Sequence, residues 1–351
     1  MNHEVMIGKH RIAADAPAYV IAELSGNHNM DYDRAVRIIE AAAEAGADAI
    51  KVQTYTADTI TLDCDDPCFQ ITQGTLWDGT TLHKLYEKAY TPWEWQPKLR
   101  DRALALGLDF FSSPFDPTSV DFLEGLDVPC YKIASFEITD IPLIRKCALL
   151  GKPLIISTGI AHIEDIELAL DTCRQAGNEN VILLKCSSAY PTPYEDINLK
   201  TMVNMARTFD CVTGLSDHTM GSAVAVASVA MGGRVVEKHL TLRRADGGVD
   251  SAFSMEPEEF RRMVDEIRIV EKAVGRVTYE LSEKQTRERE HARSLFIAQD
   301  MKKGDVFTPE NLRSVRPGCG LHTKYYDELL GKRISRDAKL GTPMSWDLLD
   351  H

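Results

Sequence analysis

Eight short runs rich in apolar and β-branched residues punctuate the chain up to residue 239. They are Ala18 to Glu23, Asp48 to Gln53, Asp109 to Ser112, Cys130 to Ser135, Pro153 to Thr158, Val181 to Cys186, Cys211 to Ser216 and Val235 to His239. Amphipathic stretches of helical period follow several of them: Asp33 to Ala45, Thr91 to Leu106, Ile163 to Gln175, Gly221 to Met231 and Pro257 to Val274. Each of these helical stretches has a glycine at or just beyond its end, where a helix terminates. Parallel strands need long crossovers, and helices supply them. Eight such units predict an α/β fold, a closed (β/α)8 TIM barrel. A doubly wound open sheet is the other arrangement of these elements, but no G-x-G-x-x-G follows the first run.

The barrel accounts for residues 1–280, with Val5 to Ala14 expected as a small hairpin over its closed end. The stretch Glu280 to Arg293 is strongly charged and predicts an exposed helix or linker, set at 281–293. Residues 294–351 carry short β-like pieces and the turn phrase Met301-Lys302-Lys303-Gly304. They predict a separate small domain. A domain of that size buries only about 60% of its chain's surface, so it needs a second surface to lean on.

Among the 351 residues, 40 Lys and Arg stand against 53 Asp and Glu, a net charge of −13. That balance argues against nucleic-acid partners, whose phosphates need cations, and against anionic membranes. No apolar run approaches the roughly 20 residues of a membrane span, and the start of the chain has no signal-peptide core. A cytoplasmic protein is expected. The eight cysteines are scattered. Cys64 and Cys68 form the only close pair, and without a second pair at ligand spacing they are expected as reduced thiols.

Barrel enzymes place their chemistry at the C-terminal ends of the strands. Here those ends read Glu23; Lys51-Val52-Gln53; Ser112-Ser113; Lys132 through Ser135 to Glu137; Ser157-Thr158; Lys185-Cys186-Ser187-Ser188 then Tyr190; Ser216-Asp217-His218; and Glu237-Lys238-His239. One polar residue at a strand end can simply face water; all eight ends being ionisable or hydroxylic points to a site. Side chains alternate along a strand, so Lys51 and Gln53 share a face. Glu237 and His239 share another, and Lys238 points away. Lys51 and Lys132, with several serines, suit a small polyanion such as a phosphoester. His218 and His239 end neighbouring strands and suit one divalent ion with open positions. Glu23 is a candidate acid, base or water-orienting group, or else the counter-ion of a lysine.

At these residues the chain resembles the sialic acid synthase family, the phosphoenolpyruvate-dependent nonulosonate synthases. The resemblance runs through Ala22-Glu23-Leu24-Ser25-Gly26-Asn27-His28, Gly46 to Thr54, Tyr131-Lys132-Ile133-Ala134-Ser135-Phe136-Glu137, Tyr190-Pro191-Thr192-Pro193, Gly214-Leu215-Ser216-Asp217-His218 and Glu237-Lys238-His239. From Ala292 to Gly318 the tail resembles the antifreeze-like (SAF) domain of the same family. The resemblance implies condensation of phosphoenolpyruvate with an amino sugar. It implies that Lys51, Lys132, Ser157, Ser187, Ser188 and Ser216 hold phosphoenolpyruvate. His218 and His239 would hold a divalent metal, Mn²⁺ or else Mg²⁺ or Co²⁺, and Gln53, Glu137, Tyr190 and Asp250 would face the sugar. Glu23, Lys132 and His239 would carry the catalysis.

Within the family, Trp77-Asp78-Gly79, Leu85-Tyr86 and Thr91-Pro92-Trp93-Glu94-Trp95 resemble the pseudaminic acid synthase branch. So do Ser314-Val315-Arg316-Pro317 and Gly320-Leu321-His322. Ser188 stands where the sialate branch commonly has Asn, and Lys238 where it has Arg. The sugar so implied is 2,4-diacetamido-2,4,6-trideoxy-L-altrose. The alternatives are an N-acetylneuraminate or legionaminate synthase, or a non-catalytic carbohydrate-binding protein. Fully extended, the 14 residues from Glu280 to Arg293 reach about 46–50 Å. The resemblance implies a homodimer in which each SAF domain caps the partner's active site, with Arg316 reaching the sugar.

Overall fold

The structure, a computed structural model, describes residues 1–72, 74 and 77–350. It divides into two compact units, Met1–Gly275 and Arg276–His351. Residue 351, the expected end of the tail domain, lies outside the described residues.

The first unit opens with an antiparallel hairpin of β1 (Glu4–Ile7) and β2 (His10–Ala13), pairing Val5 with Ile12. Eight parallel strands then close into a barrel. They are β3 (Tyr19–Glu23), β4 (Ala49–Thr54), β5 (Asp109–Pro114), β6 (Tyr131–Ile133), β7 (Leu154–Ser157), β8 (Val181–Lys185), β9 (Val212–Asp217) and β10 (Val235–His239). The last strand returns to the first, with His239 opposite Glu23. Nearly every strand residue is buried, as expected for a parallel sheet wrapped in helices. The hairpin sits at the N-terminal end of the strands, where His10 meets Asp109 at the start of β5.

Helices Ile163–Gln175 and Pro257–Val274 have the bounds read from the sequence. The expected helix Thr91 to Leu106 is shorter: a single 3₁₀ turn at Trp93–Trp95 precedes Gln96–Ala105. Pro92 holds an extended backbone ahead of that turn, and Pro97 fits the first helical turn. β6 is also shorter than the expected Cys130 to Ser135, because Ser135–Thr139 winds into a 3₁₀ turn. Helices Pro117–Gly125, Ile141–Leu149 and Lys200–Phe209 complete the ring after β5, β6 and β8. No described helix is long and apolar enough to cross a membrane.

The second unit has its own core of Leu295, Ile297, Phe307, Leu312, Leu329, Ile334 and Met344. In it β11 (Ser294–Ile297) pairs antiparallel with β12 (Leu312–Val315). Residues 276–293 are exposed throughout. They include one short helix, Glu283–Glu288, started by a capping box between Ser282 and Gln285.

Candidate active site

A cavity of about 670 Å³ opens at the C-terminal ends of the strands, within the usual size of a small-molecule site. Glu23, Lys51, Gln53, Lys132, Glu137, Ser157, Ser188, Tyr190, Ser216, His218, His239 and Asp250 line it. Strand alternation explains the selection. Ser216 and Glu237 are register partners facing inward; Asp217 and Lys238, one residue on, face outward. Lys238 accordingly forms a buried pair with Asp217 at 2.6 Å and does not line the cavity.

The floor is a compact charge network. Lys51 Nζ lies 2.9 Å from Glu23 and 3.2 Å from Glu237. Ser216 donates to Glu237 at 3.2 Å, and Lys132 donates to Ser157 at 2.6 Å. All four charged groups are buried, so their protonation is set by desolvation against neighbours. Burial pushes the Glu23 carboxyl up to about 7, although Lys51 opposes it. Glu237 is buried as deeply, yet Lys132 and Lys51 hold it below the ordinary value. Burial lowers Lys132. For Lys51, burial is outweighed by Glu23 and Glu237, which keep it charged. Two environments therefore push two neighbouring carboxylates apart, the arrangement acid–base chemistry needs.

His218 and His239 stand with ring centroids 5.2 Å apart. His218 Nδ1 is 3.3 Å from the Ser187 carbonyl, which can only accept, so in the neutral ring Nε2 carries the lone pair. Burial disfavours the charged ring, but the neighbouring Cys186 thiol raises His218 above its ordinary value. Burial and the neighbouring charge of His218 hold His239 well below its ordinary value, hence neutral. His239 Nδ1 is buried with no hydrogen-bond partner. His239 is held as a neutral donor, and His218 becomes one on releasing its proton; two such imidazoles fit a divalent ion with positions left for water and substrate. Among the described residues no three His, Cys, Asp or Glu form a closed cage.

Above the floor, Gln53 donates to Ser25 at 3.3 Å, and Ser25 donates to Asp250. Tyr190 packs on His218 at 4.5 Å and on Phe253 at 5.1 Å. Glu137 is pushed up to about 7 by burial. One of its carboxylate oxygens, Oε2, has no partner.

One expected residue stands elsewhere. Ser187 does not line the cavity; its hydroxyl donates to the Asp196 carbonyl at 3.1 Å. Ser187 and Ser188 are successive, and only Ser188 faces inward. Arg316 is exposed in the second unit, just beyond β12. Glu237 belongs to the site although no role was expected of it. Its place on the His239 face was the available signal. The apolar wall formed by Ile60, Ile71, Trp77, Leu82, Leu85 and Tyr86 was not anticipated as a site element either.

Fold and site together define an enzyme of the barrel class, with two buried lysines beside a buried carboxylate at the C-terminal ends of its strands. The chain belongs to the NeuB family, which it matches over residues 38–279, and a SAF domain follows over 292–350. It is 46% identical to the pseudaminic acid synthase of Campylobacter jejuni (strain 81-176), over 93% of this chain and 95% of that one. It is 43% identical to the pseudaminic acid synthase of Helicobacter pylori, over 94% and 97%. Among solved structures, the N-acetylneuraminic acid synthetase of Leptospira borgpetersenii, in complex with citrate, is similar with a TM-score of 0.72. It is 30% identical, over 82% of this chain and 95% of that chain.

Proposed function

We propose that the chain is a transferase that condenses phosphoenolpyruvate with 2,4-diacetamido-2,4,6-trideoxy-L-altrose, giving pseudaminic acid and phosphate. The observation that carries the reading is the buried floor: Lys51 and Lys132 with serine hydroxyls, the carboxylate of Glu23 beside Lys51, and the imidazoles of His218 and His239 lining the same cavity. The extent of similarity to the pseudaminic acid synthases supports the sugar.

Lys51, Lys132, Ser157 and Ser216 orient the phosphate and carboxylate of phosphoenolpyruvate. C3 of phosphoenolpyruvate forms a bond to the aldehyde carbon of the open-chain sugar, and the aldehyde oxygen takes a proton to become a hydroxyl. Because the new bond uses the C2=C3 electron pair, C2 becomes electron-poor. Glu23 removes a proton from the water that adds there, and as the C2–O bond to phosphate breaks the C2 hydroxyl releases its remaining proton to leave the keto group. Lys51 and Lys132 balance the charge leaving with phosphate. His218 and His239 would hold a divalent ion, Mn²⁺ by preference and Mg²⁺ or Co²⁺ otherwise; when bound it supplies Lewis-acid polarisation of the aldehyde. Ser188, Gln53, Glu137, Tyr190 and Asp250 are assigned to the substrates on their places in the cavity.

The test is phosphate release from phosphoenolpyruvate carrying ¹⁸O at the bridging position. The label should appear in the phosphate, and a chelator should stop turnover until the metal is restored. Label retained in the sugar acid would sink the C–O cleavage; full rate in excess chelator would sink the metal.

We place the reaction in the cytoplasm, a reducing compartment that suits eight free cysteines. We further propose a homodimer in which the SAF domain of one subunit closes the other's cavity, bringing Arg316 to the sugar. Mixing inactive Glu23→Ala and Arg316→Ala subunits should then restore about half the activity per heterodimer, since one of its two sites carries neither lesion. Subunit exchange without recovery would reject it.

A further inference from the structure

The cavity is sharply divided. Its floor is ionic, but much of its wall comes from the long connection 55–95 between β4 and helix Gln96–Ala105. Helix Leu82–Ala89 has an apolar face of Leu82, Leu85, Tyr86 and Ala89, spaced i, i+3, i+4 and i+7, and all four line the cavity. The charged residues of the same helix, Lys84, Glu87 and Lys88, are exposed on its other side. Leu82, Leu85 and Tyr86 are only half-buried. The helix therefore keeps apolar surface turned toward the space the substrate enters. Trp77 extends that wall. Its indole nitrogen donates to the Val249 carbonyl at 3.0 Å, and its ring lies 5.7 Å from Tyr190. The indole N–H is thus engaged by protein.

We propose that this wall determines which sugar is accepted, by receiving an apolar end of the sugar, a terminal methyl where other sugars carry a hydroxymethyl group. The inference rests on the functional reading above. If the phosphoester occupies the lysine floor and the aldehyde lies beside the imidazoles, the far end of the sugar chain points away from the floor. A methyl there buries apolar surface against Leu82 and Leu85. On that helix face only the Tyr86 hydroxyl offers hydrogen bonding, and Gln70 and Tyr55 line the cavity from other parts of the connection, so a terminal hydroxyl set against Leu82 and Leu85 loses water with little in exchange. Apolar pockets reject an added hydroxyl only modestly, by about 100-fold at most. The wall is therefore a specificity device of that size and no larger.

The experiment compares kcat/KM for the 2,4-diacetamido-2,4,6-trideoxy sugar and its 6-hydroxy counterpart of the same stereochemistry. Wild type should prefer the deoxy sugar by roughly 10- to 100-fold. Leu85→Gln, and independently Leu82→Gln, should reduce that preference to about threefold or less. Both should leave the KM for phosphoenolpyruvate within about twofold, a split that general damage to the fold would not produce. Two variants guard against one failing to fold. Turnover of the deoxy sugar with no preference in wild type overturns the inference and leaves the function standing. So does a preference unchanged in both variants. No turnover of the deoxy sugar overturns both.

Discussion

Both ends of the barrel are rich in charge, buried at the open end and mostly half-buried at the closed end, and they treat it oppositely. At the closed end the carboxylates are satisfied within the protein, and among the described residues the buried polar atom left unpaired there is Arg234 Nε. Asp109 accepts from the Tyr19 hydroxyl at 2.8 Å and pairs with His10 at 2.7 Å. Asp48 accepts from the Val20 amide at 2.8 Å and pairs with Arg268 at 3.0 Å. Glu271 pairs with Arg268 and accepts from the Ala18 amide. At the open end, Glu23, Glu137, Glu237 and His239 keep buried atoms without a hydrogen-bond partner. Leaving such atoms unmet costs folding free energy, so their partners are expected among ligands. The closed end stabilises the barrel, and the open end holds potential in reserve for substrate.

The comparison breaks first at Glu23. Glu23→Gln keeps the size of the side chain and removes the base. It should lower kcat by roughly 10²- to 10⁴-fold with only a small loss of melting temperature, because Lys51 loses one carboxylate partner but keeps Glu237. Steady-state phosphate release and thermal unfolding on the same preparation check both halves. A large fall in stability with little change in kcat would make Glu23 a structural counter-ion of Lys51.

A smaller effect is expected at the other end, and of the opposite kind. Asp109→Ala strands the Tyr19 hydroxyl and His10 and should cost about 1–3 kcal/mol of stability. kcat/KM should stay within about twofold of wild type. Denaturant unfolding paired with initial rates decides it. An activity loss that exceeds the stability loss would mean the closed end communicates with the site.

Much of this contrast was legible from residue order. Period-two alternation placed Lys51, Gln53, Ser216 and His239 on one surface and turned Lys238 outward to Asp217. Glu237 obeyed the same rule, yet its role depends on cross-strand distances to Lys51 and Ser216 that no single strand encodes. Helices Pro117–Gly125 and Ile141–Leu149 carried readable starts. Each has an Asp N-cap and a proline in the first turn. They were short enough for their apolar period to be faint. The wall of Leu82 and Leu85 was out of reach for another reason: an apolar helix face is the same in sequence whether it meets a core or a cavity. Ser187 and Ser188 stand just past the end of β8, where alternation no longer applies and the loop decides which hydroxyl turns inward.

The finest test of the contrast is the acidic limb of the pH profile. The Glu23 carboxyl stands at about 7, raised from its ordinary value near 4.5 mainly by burial. Lys51 and Lys132 pull it down, and the Glu237 charge pushes it up. A base must be ionised to act, so activity should be nearly full at pH 8, about half at pH 7, and fall about tenfold per unit below that. The sign of the coupling gives a second handle. Lys51→Met removes a cation that favours the ionised form, so in the residual activity the limb should move to higher pH. Glu23→Gln should leave no limb near neutrality. Because the limb belongs to a coupled network, it is read as an apparent value of Glu23 with its neighbours. A wild-type limb near 4.5, or one unmoved in Lys51→Met, would mean water reaches Glu23 freely, and the open end would hold no reserve of buried charge there.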